Sequence, residues 1–366
     1  MLSTVTVGGA LAKRFVENGP QDWKLPPLAY FLFLADFLLF LPVLLLIGYS
    51  FGHVFPTLAA VEDPVSDYEA LAMNDDDDST PKDPADPVRV AQPGKPITSS
   101  MRATSRLLRS QGGWLSHFRG FGLNVILSIM TVTTLSFFSL VPFIPPRFAH
   151  LLALLALSPL STTWTHVIIT PPSSKSFASR IPNIRKVYLA TWLPTTLLWA
   201  AAHAAIIFPT LLADLIRLPL RDPRQMPGDD GQQLDGSTIA KIICVAGVSL
   251  GLQVLLVIPA HTAVTRVQAS LLPADEDTVV PFDRSFAGRV EPEVVTGKGF
   301  ATFGAAIATI TLRSWVRIYL LRVKVFAITT AVYVLIAAVV GLQILAVRKT
   351  CDSGDGEGGA GVYKCY

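Results

Sequence analysis

The stretch that decides the fold runs from Leu28 to Val54, LAYFLFLADFLLFLPVLLLIGYSFGHV, and Asp36 is its one formally charged residue. A bilayer core about 30 Å thick is crossed by roughly 20 mostly apolar helical residues, because backbone groups in lipid must find their hydrogen bonds within the segment itself. This run is long enough to cross. It is longer than the apolar region of a secretory signal and has no small-residue cleavage site. Further apolar blocks follow at about 121–143, 148–170, 188–216, 240–263 and 326–347. The expectation is an all-α integral membrane protein with six transmembrane helices. Composition agrees: 51% of the 366 residues are hydrophobic and only 16% charged, with a mean hydropathy of +0.48. A soluble protein would have to bury such blocks beneath further amphipathic helices.

The same counts narrow the chemistry. Cys244, Cys351 and Cys365 provide neither a disulfide framework nor a zinc-ligand spacing, so no metal or cofactor is implied. A net charge of +3, with no basic stretch interleaved with exposed aromatics in the manner of a nucleic-acid groove, argues against a nucleic-acid partner. Membrane lipid is the partner the chain implies, with a small solute or a protein partner unidentified. No HExxH, GxSxG, phosphate loop or paired-carboxylate motif stands near a span end, so enzyme activity is not expected. His166, His203 and His261 lie on different spans, and their convergence on one metal or water would be the sign of an intramembrane enzyme.

Polar segments punctuate the spans. Residues 1–26 are a polar tail with Lys13, Arg14 and Lys24 but no Arg-rich amphipathic presequence pattern. Residues about 62–100, containing Asp75 to Asp78 and PKDPADP, hold too little apolar surface to offset ordering entropy. They read as a flexible acidic loop, either a solvated linker or a segment that attracts a partner or cations. A second linker spans 218–237, and 348–366 is a low-complexity tail. Two basic stretches read as interfacial helices. In RSWVRIYLLRVK, Arg313, Arg317 and Lys324 fall near one face with Arg322 off it; in SSMRATSRLLRS, Arg102, Arg106 and Arg109 share a face. Such side chains commonly snorkel to headgroups. Six spans put both termini on one side, and the loops after the odd spans carry most of the Lys and Arg, which marks the side of insertion.

Paired in order, the spans make three helical hairpins at 27–145, 146–217 and 238–347, an arrangement in which internal repeats are to be sought. The fifth block ends PAHTAVTRVQ. This resembles the signature that closes the odd helices of the mitochondrial carrier family: Pro, then an acidic residue at the third position, a basic one at the sixth, often a basic one at the eighth, and Gln at the tenth. Pro259, Arg266 and Gln268 match, while His261 and Val264 replace the charges. SPLSTTWTHVI keeps Pro159, with Ser161 and Trp164 at the charged positions, and the first block keeps Pro42, with Leu44 and Ile47 there. GGWLSHFRGFGLNVILS is similar to the family's acidic-Gly-x4-aromatic-basic-Gly segment through Gly113, Phe118, Arg119 and Gly120, with Gly112 in place of the acid. At the end of the fourth block, ADLIR is similar to its aromatic-Asp-x-x-basic element through Asp214 and Arg217, with Ala213 in the aromatic place.

The resemblance implies three tandem hairpins with pseudo-three-fold symmetry, a multi-pass mitochondrial protein with the inner membrane favoured over the outer, and solute transport gated by a ring of ion pairs. Such a gate needs complementary charges at close range. Leu44, Ser161 and His261 provide none, so the implied function is a transporter with a modified gate or a scaffold that reuses the fold without transport. The substrate or gate candidates are Arg266, Gln268, His261, His203, Asp214 and Arg217, and Asp36 and His166 are further ionisable groups within spans. Each has a plainer reading: a histidine can bond a neighbouring helix's carbonyl, the prolines can merely kink their helices, and Arg119 can mark a membrane boundary. Arg266, near a span end, is expected either to contact an anionic solute or to anchor its helix at headgroups.

Overall fold

A computed structural model describes residues 27–63, 96–173, 181–218, 236–273, 275–290 and 299–354, and every regular element among them is helical. Helix α1 (Pro27–Leu45) continues through a π-helical stretch, Leu46–Val54, into α2 (Phe55–Val61). Then come α3 (Met101–Gly112), a 3-10 turn (Trp114–Phe118), α4 (Phe121–Ser139), α5 (Pro146–Ala156), α6 (Ser158–Ile169) and α7 (Ile184–Leu215). Helix α8 (Gly236–Leu252) passes through a π stretch, Gln253–Val257, into α9 (Ile258–Ser270), and the described chain ends with α10 (Phe303–Ala308) and α11 (Leu312–Gly354).

Among the described residues, five helical runs are long and apolar enough to cross a membrane: Tyr30–Val61, Trp114–Ser139, Ile184–Leu215, Gly236–Ser270 and Leu312–Leu345. The block expected at 148–170 is not straight. It is the pair α5 and α6, bent by 55°, which would make a sixth span if taken as one. The bend has a cause in Pro159, in the first turn of α6, whose ring lacks an N–H and crowds the carbonyl four residues back. Pro56 and Pro259 stand in the first turns of α2 and α9, each directly after a π stretch, where the widened turn admits the ring without breaking the helix.

Side-chain placement fits lipid. Phe31, Leu39, Val132, Phe137, Ile243 and Leu335 all lie exposed on the long helices. Along α4 the hydroxyls of Ser128, Thr131, Thr133 and Ser136 donate to the carbonyls four residues earlier, so no hydroxyl proton is left to a solvent that could not accept it.

The chain divides into two compact units, 1–53 with 322–366, and 54–321. In the first, the Gln343 amide donates to Asp36 Oδ1 at 3.0 Å, so the charge in the deciding stretch is held by the last helix. In the second, α2, α6 and α9 pack pairwise on one another, and Ala190, Val267, Phe286, Ala301 and Ala306 form a buried cluster.

Several expected boundaries shift. RSWVRIYLLRVK is not a separate surface helix but the opening turns of α11, because no Pro or Gly interrupts it before the apolar block. Arg313 and Lys324 are exposed and Arg317 is buried, so these three do not share one face. The acidic loop was expected to begin at 62, yet Glu62, Asp63 and residues 96–100 are ordered parts of the second unit. Residues 64–95, the tail 1–26, linker positions 219–235 and the terminal 355–366 lie outside the described residues.

Candidate functional site

The polar side chains of the second unit gather where α2, α6 and α9 end. Helix α2, FPTLAAV, is buried along its whole length, and the chain turns extended at Glu62 (φ −59°, ψ 119°). That turn presents two successive carboxylates. Glu62 accepts from the backbone N–H groups of Ile97 at 2.6 Å and Thr98 at 3.0 Å, from the Thr98 hydroxyl, and from Arg317 Nη1 at 3.0 Å. Arg317 Nη2 donates to the carbonyls of Glu62 (2.6 Å) and Ala59 (3.2 Å). Both partners are sealed from solvent, with side chains 1% and 5% exposed. Such a pair is held by the hydrogen bonds that surround it, and removing one partner strands a buried charge at a cost of about 3–5 kcal/mol.

Asp63 faces the other way. Its Oδ1 accepts from Arg266 Nη1 at 2.9 Å, its Oδ2 from the Asp283 N–H at 3.1 Å, and its side chain is 19% exposed. Arg266 is itself buried, donating also to Ala60 O (3.2 Å) and Thr309 Oγ1 (3.2 Å), with its Cζ 5.1 Å from the Phe286 ring centroid. Phe286 and Ala287 both have positive φ (50° and 54°), a region costly for residues with a Cβ. Asp283 braces that turn by accepting from the N–H groups of Ser285 and Ala287 and from the Ser285 hydroxyl. Burial pushes the Asp283 carboxyl up, but those hydrogen bonds and the Arg266 charge outweigh it and hold it below the ordinary carboxylate range.

The third helix joins without charge. Gln268 accepts from the Thr165 hydroxyl at 2.7 Å and donates to Ser161 Oγ at 3.1 Å, and its backbone oxygen lies 2.8 Å from His166 Nε2. A carbonyl only accepts, so that nitrogen carries the proton. Beyond His166, Arg119 donates to the Ile168 and Thr170 carbonyls (3.3 and 2.8 Å) and to Gln111, satisfying the open end of α6. Gly113 and Gly120 flank it at φ 68° and 73°, where glycine is the residue that turns without strain.

Of the sequence candidates, Arg266 joins α9 to the end of α2 through Asp63, Gln268 joins the same helix to α6 through Thr165, Ser161 and His166, and Arg119 closes the end of α6. Phe118 instead packs edge-on against Phe121. His261 is half-buried on α9, and its carbonyl accepts from Thr265. His203 lies elsewhere in α7, bonded to the Trp199 carbonyl and packed against Trp199 and His150. The three candidate histidines thus do not converge. Asp214 and Arg217 are exposed at the end of α7, outside these contacts. Pro42 is exposed inside α1, and the proline that matches Pro159 and Pro259 by place is Pro56.

That substitution reveals what the sequence reading missed. Counting from Pro56, Pro159 and Pro259, the seventh following residues are Asp63, His166 and Arg266. Unlike charges at one offset from the prolines of α2 and α9 are a readable signal, hidden when the register is anchored on Pro42 and Asp63 is assigned to the acidic loop. Glu62, Thr98 and Arg317 had no signature to announce them. No protein-family model matches the chain, and comparisons with curated proteins and with solved structures found no match.

Proposed function

We propose that the chain is a divergent carrier-like membrane protein, three hairpins about a pseudo-three-fold axis, that exchanges a small solute through a modified gate at the ends of α2, α6 and α9. The observation that carries this reading is the Asp63–Arg266 ion pair, which joins two proline-led helices by charges at the same offset from their prolines. The third joint, His166 and Gln268, is uncharged, which is what makes the gate modified. Close opposite charges hold such an end shut and part when each can be met by water or solute instead. Purified protein in liposomes, screened for counter-exchange of nucleotides, carboxylates and amino acids, tests it: exchange of one class that falls in the Asp63→Asn variant is the expected result.

The second reading, a scaffold that keeps the fold without transport, draws support from the sealed Glu62–Arg317 pair, which is built like a permanent joint. It predicts no exchange of any class by well-folded protein. The mitochondrial membrane, inner by preference, rests on the residue resemblance alone. Imaging of a fluorescent fusion against mitochondrial markers checks it, and a signal confined to another membrane overturns it.

A further inference from the structure

Arg266 and Arg317 each have a carboxylate; among the described residues Arg322 has none. It stands five residues after Arg317 within the apolar run Leu312–Leu345. Its Nε is buried without a partner, and no hydrogen bond or ion pair reaches its guanidinium among the described residues. Glu62 and Asp63 act on Arg317, whereas no carboxylate among the described residues acts on Arg322. The group that feels its charge is His53, itself a base, at the far end of the π stretch. Ser50, three residues before His53, is fully buried and its hydroxyl too lacks a partner. A guanidinium stays charged at any physiological pH, and a charge withdrawn from water is costly until an opposite charge meets it. Intramembrane arginines accordingly pair or mark a pathway.

We propose that Arg322 is the docking point for an oxyanion, a carboxylate or a phosphate, gripped through the two parallel N–H donors of its planar fork. This names the solute class for the transporter reading and rests on that reading only for its consequence in flux. The oxyanion could arrive on a free solute or on a lipid headgroup, and the test has an arm for each. The full chain in maltoside micelles, which carry neither phosphate nor charge, is titrated calorimetrically with inorganic phosphate, with citrate, and with mixed micelles containing phosphatidylglycerol. Wild-type protein is expected to bind at least one probe. Arg322→Gln should lower that affinity at least about tenfold, the loss of one charge-assisted contact, and Arg322→Lys should keep part of it because the charge remains and the fork is lost. Binding of phosphate or citrate assigns a solute; binding confined to phosphatidylglycerol assigns a headgroup. Thermal unfolding of each variant checks the fold, and if Arg322→Gln does not fold, the partial loss in Arg322→Lys decides. Equal binding by wild type and both variants, or no binding of any probe by wild type, overturns the proposal. Anion binding with this pattern but no exchange in liposomes leaves the site standing and removes the transporter.

Discussion

Glu62 and Asp63 are neighbours in the chain, each is paired with a buried arginine, and the two are held quite differently. Glu62 is 1% exposed and takes four donors, so parting it from Arg317 would leave two uncompensated charges where water does not reach. Asp63 is 19% exposed and takes two donors, one a backbone N–H from the adjoining loop, so water already reaches the group that would have to let go. The difference separates a joint from a latch. An enclosed pair fixes where α2 ends; a half-open pair can exchange its partner at a cost that solvent helps to meet.

The largest expected effect is therefore at Glu62. Glu62→Gln keeps the shape, leaves Arg317 unpaired in the interior, and should destabilise by about 3–5 kcal/mol, read as a fall in unfolding temperature and in the yield of monodisperse protein. Asp63→Asn should cost less, about 1–3 kcal/mol, because the remaining amide still accepts and water shares the load. Equal losses at the two positions, measured by unfolding in the same detergent, would break the distinction between joint and latch. Arg266→Ala is expected to behave more like Glu62→Gln than like a surface change, since the arginine is buried and holds Ala60, Asp63 and Thr309 together. Arg266→Lys should retain part of that stability, with the charge kept and the fork lost.

A smaller effect sharpens the same contrast through pH. Asp283, which donates its N–H to Asp63, has a carboxyl held below its ordinary range. A depressed folded-state value means the group contributes stability above its unfolded value, near 3.9, and loses it as pH falls through the folded value. Asp283→Asn should therefore be less stable than wild type at neutral pH, and its stability should fall less steeply than wild type's as pH drops below about 4. An unchanged acid limb would mean that Asp283 does not brace the latch.

What was legible in the sequence follows from which signals are local. Span-length apolar runs, the prolines at 159 and 259, and the glycine-flanked Arg119 are read from neighbours along the chain, and the helices stand close to where those runs lie. The partners of the charges are not local: Arg317 meets Glu62 across 255 positions and Arg266 meets Asp63 across 203. Composition also misled at one boundary. Prolines and aspartates beyond residue 63 drew the flexible loop two residues too early, and those two residues are the latch and the joint. Arg317 was assigned to headgroups because its helix is basic at that end, when burial against α2 made it an ion-pair partner.

The proposed exchange requires Asp63 and Arg266 to part and re-form, and charge reversal in the liposome assay tests this most directly. Asp63→Arg sets two guanidinium groups against each other, and Arg266→Asp sets two carboxylates together, so each single variant should lose exchange. The double variant restores opposite charges in reverse order and should recover exchange by about tenfold over either single, the weight of one close charge pair. Single variants that exchange at the wild-type rate, or a folded double variant as inactive as the singles, would contradict the account.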